Sequence, residues 1–242
     1  MPQIVKYTRT HQGDTLVEVL FAMTVFAAVA VGAMAVMNRG INAAQTSLET
    51  TQVRNEIDSQ AELLRHLHTA KLSSASGLGT PASQRAASQW DNITKQLIVA
   101  QAADYGRLAS SSECTFGDNS HKAGNTSMFA AQADQAKAFF IDPATSKVIS
   151  YGAHPDYFAA ADTYAQVRPP ENTVRHSVSN MLWVQAVRVT GDPHGVQGQE
   201  AALTRSVAYD FHIRACWPGV GLGTRWRVQG TIVRLYMPKG VE

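Results

Sequence analysis

Residues 16–37 form a run of 22 positions that contains a single charged side chain, Glu18. As a helix rising about 1.5 Å per residue, the run covers about 33 Å, close to the roughly 30 Å hydrocarbon core of a bilayer. Lys6, Arg9 and His11 precede it with no acid among them. Basic residues before an apolar span and few after it favour a cytoplasmic N-terminus, so the remainder of the chain is expected outside. That remainder has ordinary soluble composition. With 45% hydrophobic and 17% charged residues overall, the chain suits a folded protein. One greasy segment is joined to a soluble body.

Three arrangements share such a segment. A cleaved secretory signal is one, and Ala33-Met34-Ala35 has the small-residue pattern of its cleavage site. The apolar run is nevertheless longer than a usual signal core and carries a carboxylate near its start. An uncleaved anchor accounts for the hydrophobicity but gives Glu18 no role. An ionised acid costs about 2.5–3.5 kcal/mol at the centre of a membrane helix and less towards the interface. Glu18 lies four residues past Asp14, roughly 6 Å along a helix, so its carboxylate is within reach of the headgroups.

The third arrangement rests on the surrounding residues. Gly13-Asp14-Thr15-Leu16-Val17-Glu18-Val19-Leu20 resembles the N-terminal signal of type IV prepilins and pseudopilins. In that family a basic leader ends in glycine, cleavage follows it, and a glutamate stands at the fifth mature position. The likeness covers residues 6–40. Asp14 stands where the family usually has Phe or Met, and Gln12 where a basic residue often precedes the glycine.

The resemblance implies a leader at 1–13, cleavage between Gly13 and Asp14 by a prepilin peptidase, and N-methylation of Asp14. It also implies a role in assembly for Glu18, paired with the new terminal ammonium of a neighbouring pilin subunit. The precursor would sit in the cytoplasmic membrane with its body outside, then pass into an extracellular pilus or pseudopilus. The mature chain would hold 229 residues, 242 less 13, a length that favours a minor subunit over the major one. The other class is a signal-anchored or secreted binding protein or adhesin that forms no filament. A ligand of the body, whether a surface, DNA or another pilin, is not encoded in any recognisable motif.

Beyond Arg39-Gly40 the periodicity continues. Ile41, Ala44, Leu48, Ile57, Ala61, Leu64 and Leu67 recur at helical spacing, with Glu49, Arg54, Glu56, Asp58 and Glu62 between them. The expected division is a membrane and assembly helix at 14–38, its amphipathic continuation at 39–73, and a globular domain at 74–242. In the last of these, residues 73–81 read as a loop, and Trp90, Ile93, Leu97 and Ile98 predict a second helix over 83–103. Phe139-Phe140-Ile141 and Val148-Ile149-Ser150, separated by a turn, predict a hairpin. A long loop at 152–178 and three longer strands at 181–190, 203–216 and 225–237 complete the set. In the middle strand Val207, Tyr209, Phe211 and Ile213 alternate with Ser206, Asp210, His212 and Arg214, the pattern of a half-buried antiparallel sheet. Helix first and sheet afterwards gives an α+β, pilin-like body.

Cys114 and Cys216 are the two cysteines, in no metal-type spacing. An exported body makes them a candidate disulfide, worth up to about 4–5 kcal/mol in the chain-entropy model, while two unpaired buried thiols remain the alternative. Net charge is +2, and Lys6 and Arg9 account for both. A neutral body gives little electrostatic drive towards nucleic acid. The last forty residues lean basic, as solvated strand faces often do.

Catalytic patterns are weak. His66 and His68 are two apart on a helix and diverge, and Gly117-Asp118-Asn119-Ser120-His121 lacks calcium-loop spacing. Neither GxSxG nor HExxH occurs. Gly219-Val220-Gly221-Leu222-Gly223 precedes a strand and offers no helix N-terminus to a phosphate. The expectation is a protein without enzymatic activity, cofactor or metal.

Overall fold

The computed structural model describes residues 14–102, 132–159, 161, 163–169, 177–189, 206–219, 226–238 and 240–241. The chain divides into two compact units, Met1–Gln45 and Thr46–Glu242. Helix α1, Asp14–Ala75, contributes to both.

In the first unit, the described residues are the opening turns of α1, whose apolar side chains are exposed on every side. Leu16, Phe21, Phe26 and Met37 are all between 67% and 71% exposed. The single hydroxyl in the middle of the run is satisfied internally, because Thr24 donates to the Phe21 carbonyl at 2.8 Å.

In the second unit, α1 becomes amphipathic. Glu49, Val53, Ile57, Gln60, Ala61, Leu64, Leu67 and Ala70 are buried at steps of one to four residues, which draws one stripe along the helix. Ile41 and Leu48, expected on that stripe, are instead 45% and 58% exposed. The stripe begins at Glu49, whose carboxylate accepts the Trp217 indole N–H. Gly77 adopts a left-handed φ of +77° just past the helix end, a conformation that costs glycine little.

Helix α2, Pro81–Gln96, opens on Thr80, whose hydroxyl accepts the Ser83 N–H, with Pro81 at the first turn. Lys71 of α1 bonds Asp91 of α2 at 2.7 Å. The second helix was expected to run to 103, but it ends at Gln96. Ile98 and Val99 leave it as strand β1 and pair in parallel with Ala186 and Val187. Those two β-branched residues gain more from a sheet edge than from another helical turn.

The main sheet has the order β3-β2-β7-β8-β9, with β1 also on β7. Strands β2, Phe139–Ile141, and β3, Val148–Ser150, form the predicted hairpin. A five-residue helix α3, Gln132–Ala136, precedes it. Strands β7, Leu182–Val189, β8, Ser206–Pro218, and β9, Trp226–Pro238, are the three long ones, all antiparallel. The stretch expected as one loop at 152–178 contains a short 3-10 turn, Pro155–Tyr157, and strands β4, Phe158–Ala159, and β5, Val167–Arg168. With β6, Val178–Asn180, these two make a separate three-stranded sheet.

Residues opposite one another in an antiparallel ladder share a face. One face therefore carries Leu182, Val184, Ala186, Tyr209, Phe211, Ile213, Ala215, Trp217 and Val233. It packs on the helices: Trp90 meets Tyr209 edge-on at 6.0 Å and Phe211 at 5.5 Å. The result is an α+β body built from a long N-terminal helix and an antiparallel sheet.

Candidate functional site

The residues singled out in sequence do not gather into one pocket. Gly13 and Cys114 lie outside the described residues, as does the loop at 104–127. Asp14 opens α1. Glu18 stands exposed one turn later, among Leu16, Val17, Val19 and Leu20, each at least 58% exposed. Helix α1 is long and apolar enough to cross a membrane, near the N-terminus. Its opening turns thus present a carboxylate at one end of a wholly apolar cylinder. Such a surface has two physical uses, lipid or other helices, because isolated in water it leaves a large apolar area unburied.

Cys216 is fully buried in β8, and no free cysteine occurs among the described residues. Nor do three or more His, Cys, Asp or Glu side chains gather there as a metal site would require.

The polar groups that sequence reasoning placed on a solvated strand face are instead bonded in two groups, Gln185–Arg214–His212 and Asp210–Arg234. Arg214 was expected to be solvated but is 1% exposed, and its guanidinium donates to the Gln185 side-chain oxygen at 2.6 Å. His212 Nδ1 lies 3.4 Å from another Arg214 nitrogen. Burial, reinforced by the Arg214 charge, depresses the His212 pKa to about 4, so the ring is neutral and Nδ1 accepts a hydrogen bond from Arg214. Asp210 receives Arg234 through two bonds, of 2.6 and 2.7 Å. Those bonds hold its carboxyl below the usual carboxylate range and push the Arg234 pKa up. Strand alternation predicts which face a side chain takes, but not whether that face is covered. That is why Arg214 escaped the sequence reading.

A neutral imidazole beside an arginine is poorly placed as a general base, so these groups are read as structural. Their effect on stability has a definite sign. A histidine whose folded pKa is lowered contributes stability above its ordinary value of 6.5. That contribution is lost as pH falls towards 4. Asp210 adds a loss of the same sign at still lower pH. Because the ring is partly solvated, the His212 share is expected at about 1–2 kcal/mol between pH 7 and pH 4. Urea midpoints of the full chain at the two pH values check this, and His212→Gln should flatten the acid limb by that amount.

Glu56 behaves oppositely. Burial raises its pKa despite a long hydrogen bond from the Val167 N–H, so its ionisation weakens the fold as pH rises past 4.5.

No family model, curated protein or solved structure matches the chain.

Proposed function

We propose that this chain is the precursor of a type IV pilin-like filament subunit. It is inserted in the membrane through the start of α1, cut after Gly13 by a prepilin peptidase, and built into a pilus or pseudopilus through that same helix. The observation that carries this reading is Glu18, an acid exposed at the head of an otherwise apolar helical surface.

Before cleavage, no free amine lies near Glu18. Cleavage leaves an ammonium on Asp14, and N-methylation of that amine would retain its charge. In a filament, Glu18 of an incoming subunit faces the ammonium of its neighbour. Such a pair is worth about 4 kcal/mol at 4 Å with an effective dielectric near 20, before desolvation is subtracted. The pairing fixes axial register as helices leave lipid for one another, while the apolar surface supplies non-directional attraction. The Asp14 carboxylate competes for the same ammonium, which sharpens the need for a well-placed Glu18.

The body, exported by this route, forms a Cys114–Cys216 disulfide. Support comes from the buried position of Cys216 on β8, the lack of a free cysteine among the described residues, and the oxidising compartment. The mature length favours a minor subunit. No enzymatic activity, cofactor or metal is assigned to it.

Intact mass of the unreduced natural protein tests the processing step. A start at Asp14, with the mass of an oxidised cysteine pair, is the expected result. A start after Ala35, or retention of residues 1–13, sinks the filament reading in favour of an ordinary anchor or secreted adhesin. In a filament-incorporation assay with membrane insertion measured separately, Glu18→Ala should insert normally and incorporate at least about tenfold less.

A further inference from the structure

Cleavage after Gly13 changes the charge at the head of α1. Asp14 and Glu18 are the only acids among residues 14–38, and no basic side chain stands with them. The first is Arg39, about 38 Å from Asp14 along a helix. The freed ammonium is therefore the one cation of this stretch. One ammonium against two carboxylates leaves a formal charge of −1 on a segment that is otherwise almost wholly apolar.

That ammonium is already engaged within its own residue. The covalent geometry of an aspartate keeps its carboxylate within about 4 Å of its own amine. Asp14 is also the first residue of α1, where the helix presents roughly half an elementary positive charge. An acid there answers both the ammonium and the helix end. These attractions act inside one chain, before any neighbour arrives. Glu18, one turn further on, stands exposed.

Two copies of this chain make poor neighbours on these grounds. Each brings a head of net charge −1, and each Glu18 meets an ammonium that an aspartate already holds. Among packed apolar helices, uncompensated charge costs far more than it does in water. A helix whose first residue is uncharged lacks the defect, because its terminal ammonium is free for Glu18.

We propose that this chain pairs through Glu18 with a different subunit, an apolar helix that begins with a free ammonium on an uncharged residue, and that it does not polymerise with itself. The inference rests on the filament reading and adds the kind of neighbour that the filament supplies. Asp14 works as a selector against self: the acid that settles its own terminus withholds the cation a second copy would need.

The test takes the mature chain in detergent micelles, its start at Asp14 verified by intact mass, and two peptide probes of residues 14–37 with free amines. One probe has the natural sequence and the other carries Asp14→Ala. Förster transfer between labelled chain and labelled probe reads the pairing of helices. The Asp14→Ala probe is expected to bind at least about tenfold more tightly. Acetylating its amine should remove that advantage, and so should Glu18→Gln in the chain, which leaves the apolar surface intact. In the full chain, Asp14→Asn should raise self-association by a similar factor. If that variant escapes cleavage, the probe comparison decides alone. Equal binding of the two probes, an advantage that survives acetylation or Glu18→Gln, or a natural filament made of this chain alone would each overturn the proposal. With cleavage after Gly13 established, those results strike this inference alone, whereas a natural chain left uncut at Gly13 removes the filament reading along with it.

Discussion

Trp90→Ala is expected to lower the unfolding free energy by about 3–5 kcal/mol, the range for removing a large aromatic side chain from a packed core. Trp90 is 1% exposed and stands where α2 meets the sheet. It touches Tyr209 and Phe211 on β8 and the His68 ring of α1, at centroid distances of 5.1 to 6.0 Å. Truncation would remove the transfer energy of an indole and leave a cavity bounded by three separate elements, which cannot all close on it together. Urea denaturation of the full chain in detergent, followed by the circular dichroism of the sheet, measures the change. Trp90→Phe, which refills most of the volume, should recover more than half of the loss. A Trp90→Ala midpoint within error of the parent would show that α2 is not held where the structure puts it.

Gln60→Leu should cost about 2–5 kcal/mol, through a different mechanism. Gln60 is fully buried on α1, and its amide reads both backbone groups of Ile141 on β2. Its nitrogen donates to the Ile141 carbonyl at 2.8 Å, and its oxygen accepts the Ile141 N–H at 2.8 Å. A helix side chain thus supplies the rung that a neighbouring strand would otherwise give. Leucine fills a similar volume without either bond, so two buried main-chain groups lose their partners, at about 1–3 kcal/mol each. The amide of Ile141 should then exchange far faster while that of Val184, in the sheet interior, keeps most of its protection. Gln60→Glu separates shape from bonding: it keeps the acceptor, loses the donor and buries a charge, so it should be at least as harmful as leucine at neutral pH. Wild-type stability in both variants would mean the paired bonds add nothing net.

Much of the frame was legible because it rests on periodicity. The amphipathic repeat of 57, 61, 64 and 67 on α1 and the alternation of 209, 211 and 213 on β8 are one-dimensional records of burial. The structure buries all seven residues. The hairpin at Phe139–Ile141 and Val148–Ser150 was legible from its turn chemistry. What escaped depended on contacts remote in sequence. Two residues of β1 are too short to show any period, and they become a strand only because β7 lies beside them. Arg214 looked like a solvated residue, and its burial is decided by what covers that face of the sheet. Gln60 carried no local signal, since an amide on a helix stripe reads as an interruption until the strand it serves is in place. The candidate site was legible in another sense. The pattern from Gly13 to Leu20 made Glu18 conspicuous, and the helix displays that acid openly, but the proposed pairing with another chain would leave no trace in a single chain.

The cross-links between α1 and the C-terminal strands have a consequence for the order of events. Trp217 donates to Glu49 across 168 residues, and Arg227 donates to Thr46 across 181. The helix is synthesised early, yet its buried stripe is completed by the last strands to appear. Closing loops of that span is slow, so the stripe stays open to chaperones and proteases until translation is nearly finished. Chains halted before β9 should therefore be cleared rather than accumulate, which makes completion of the final strand the checkpoint for a durable body.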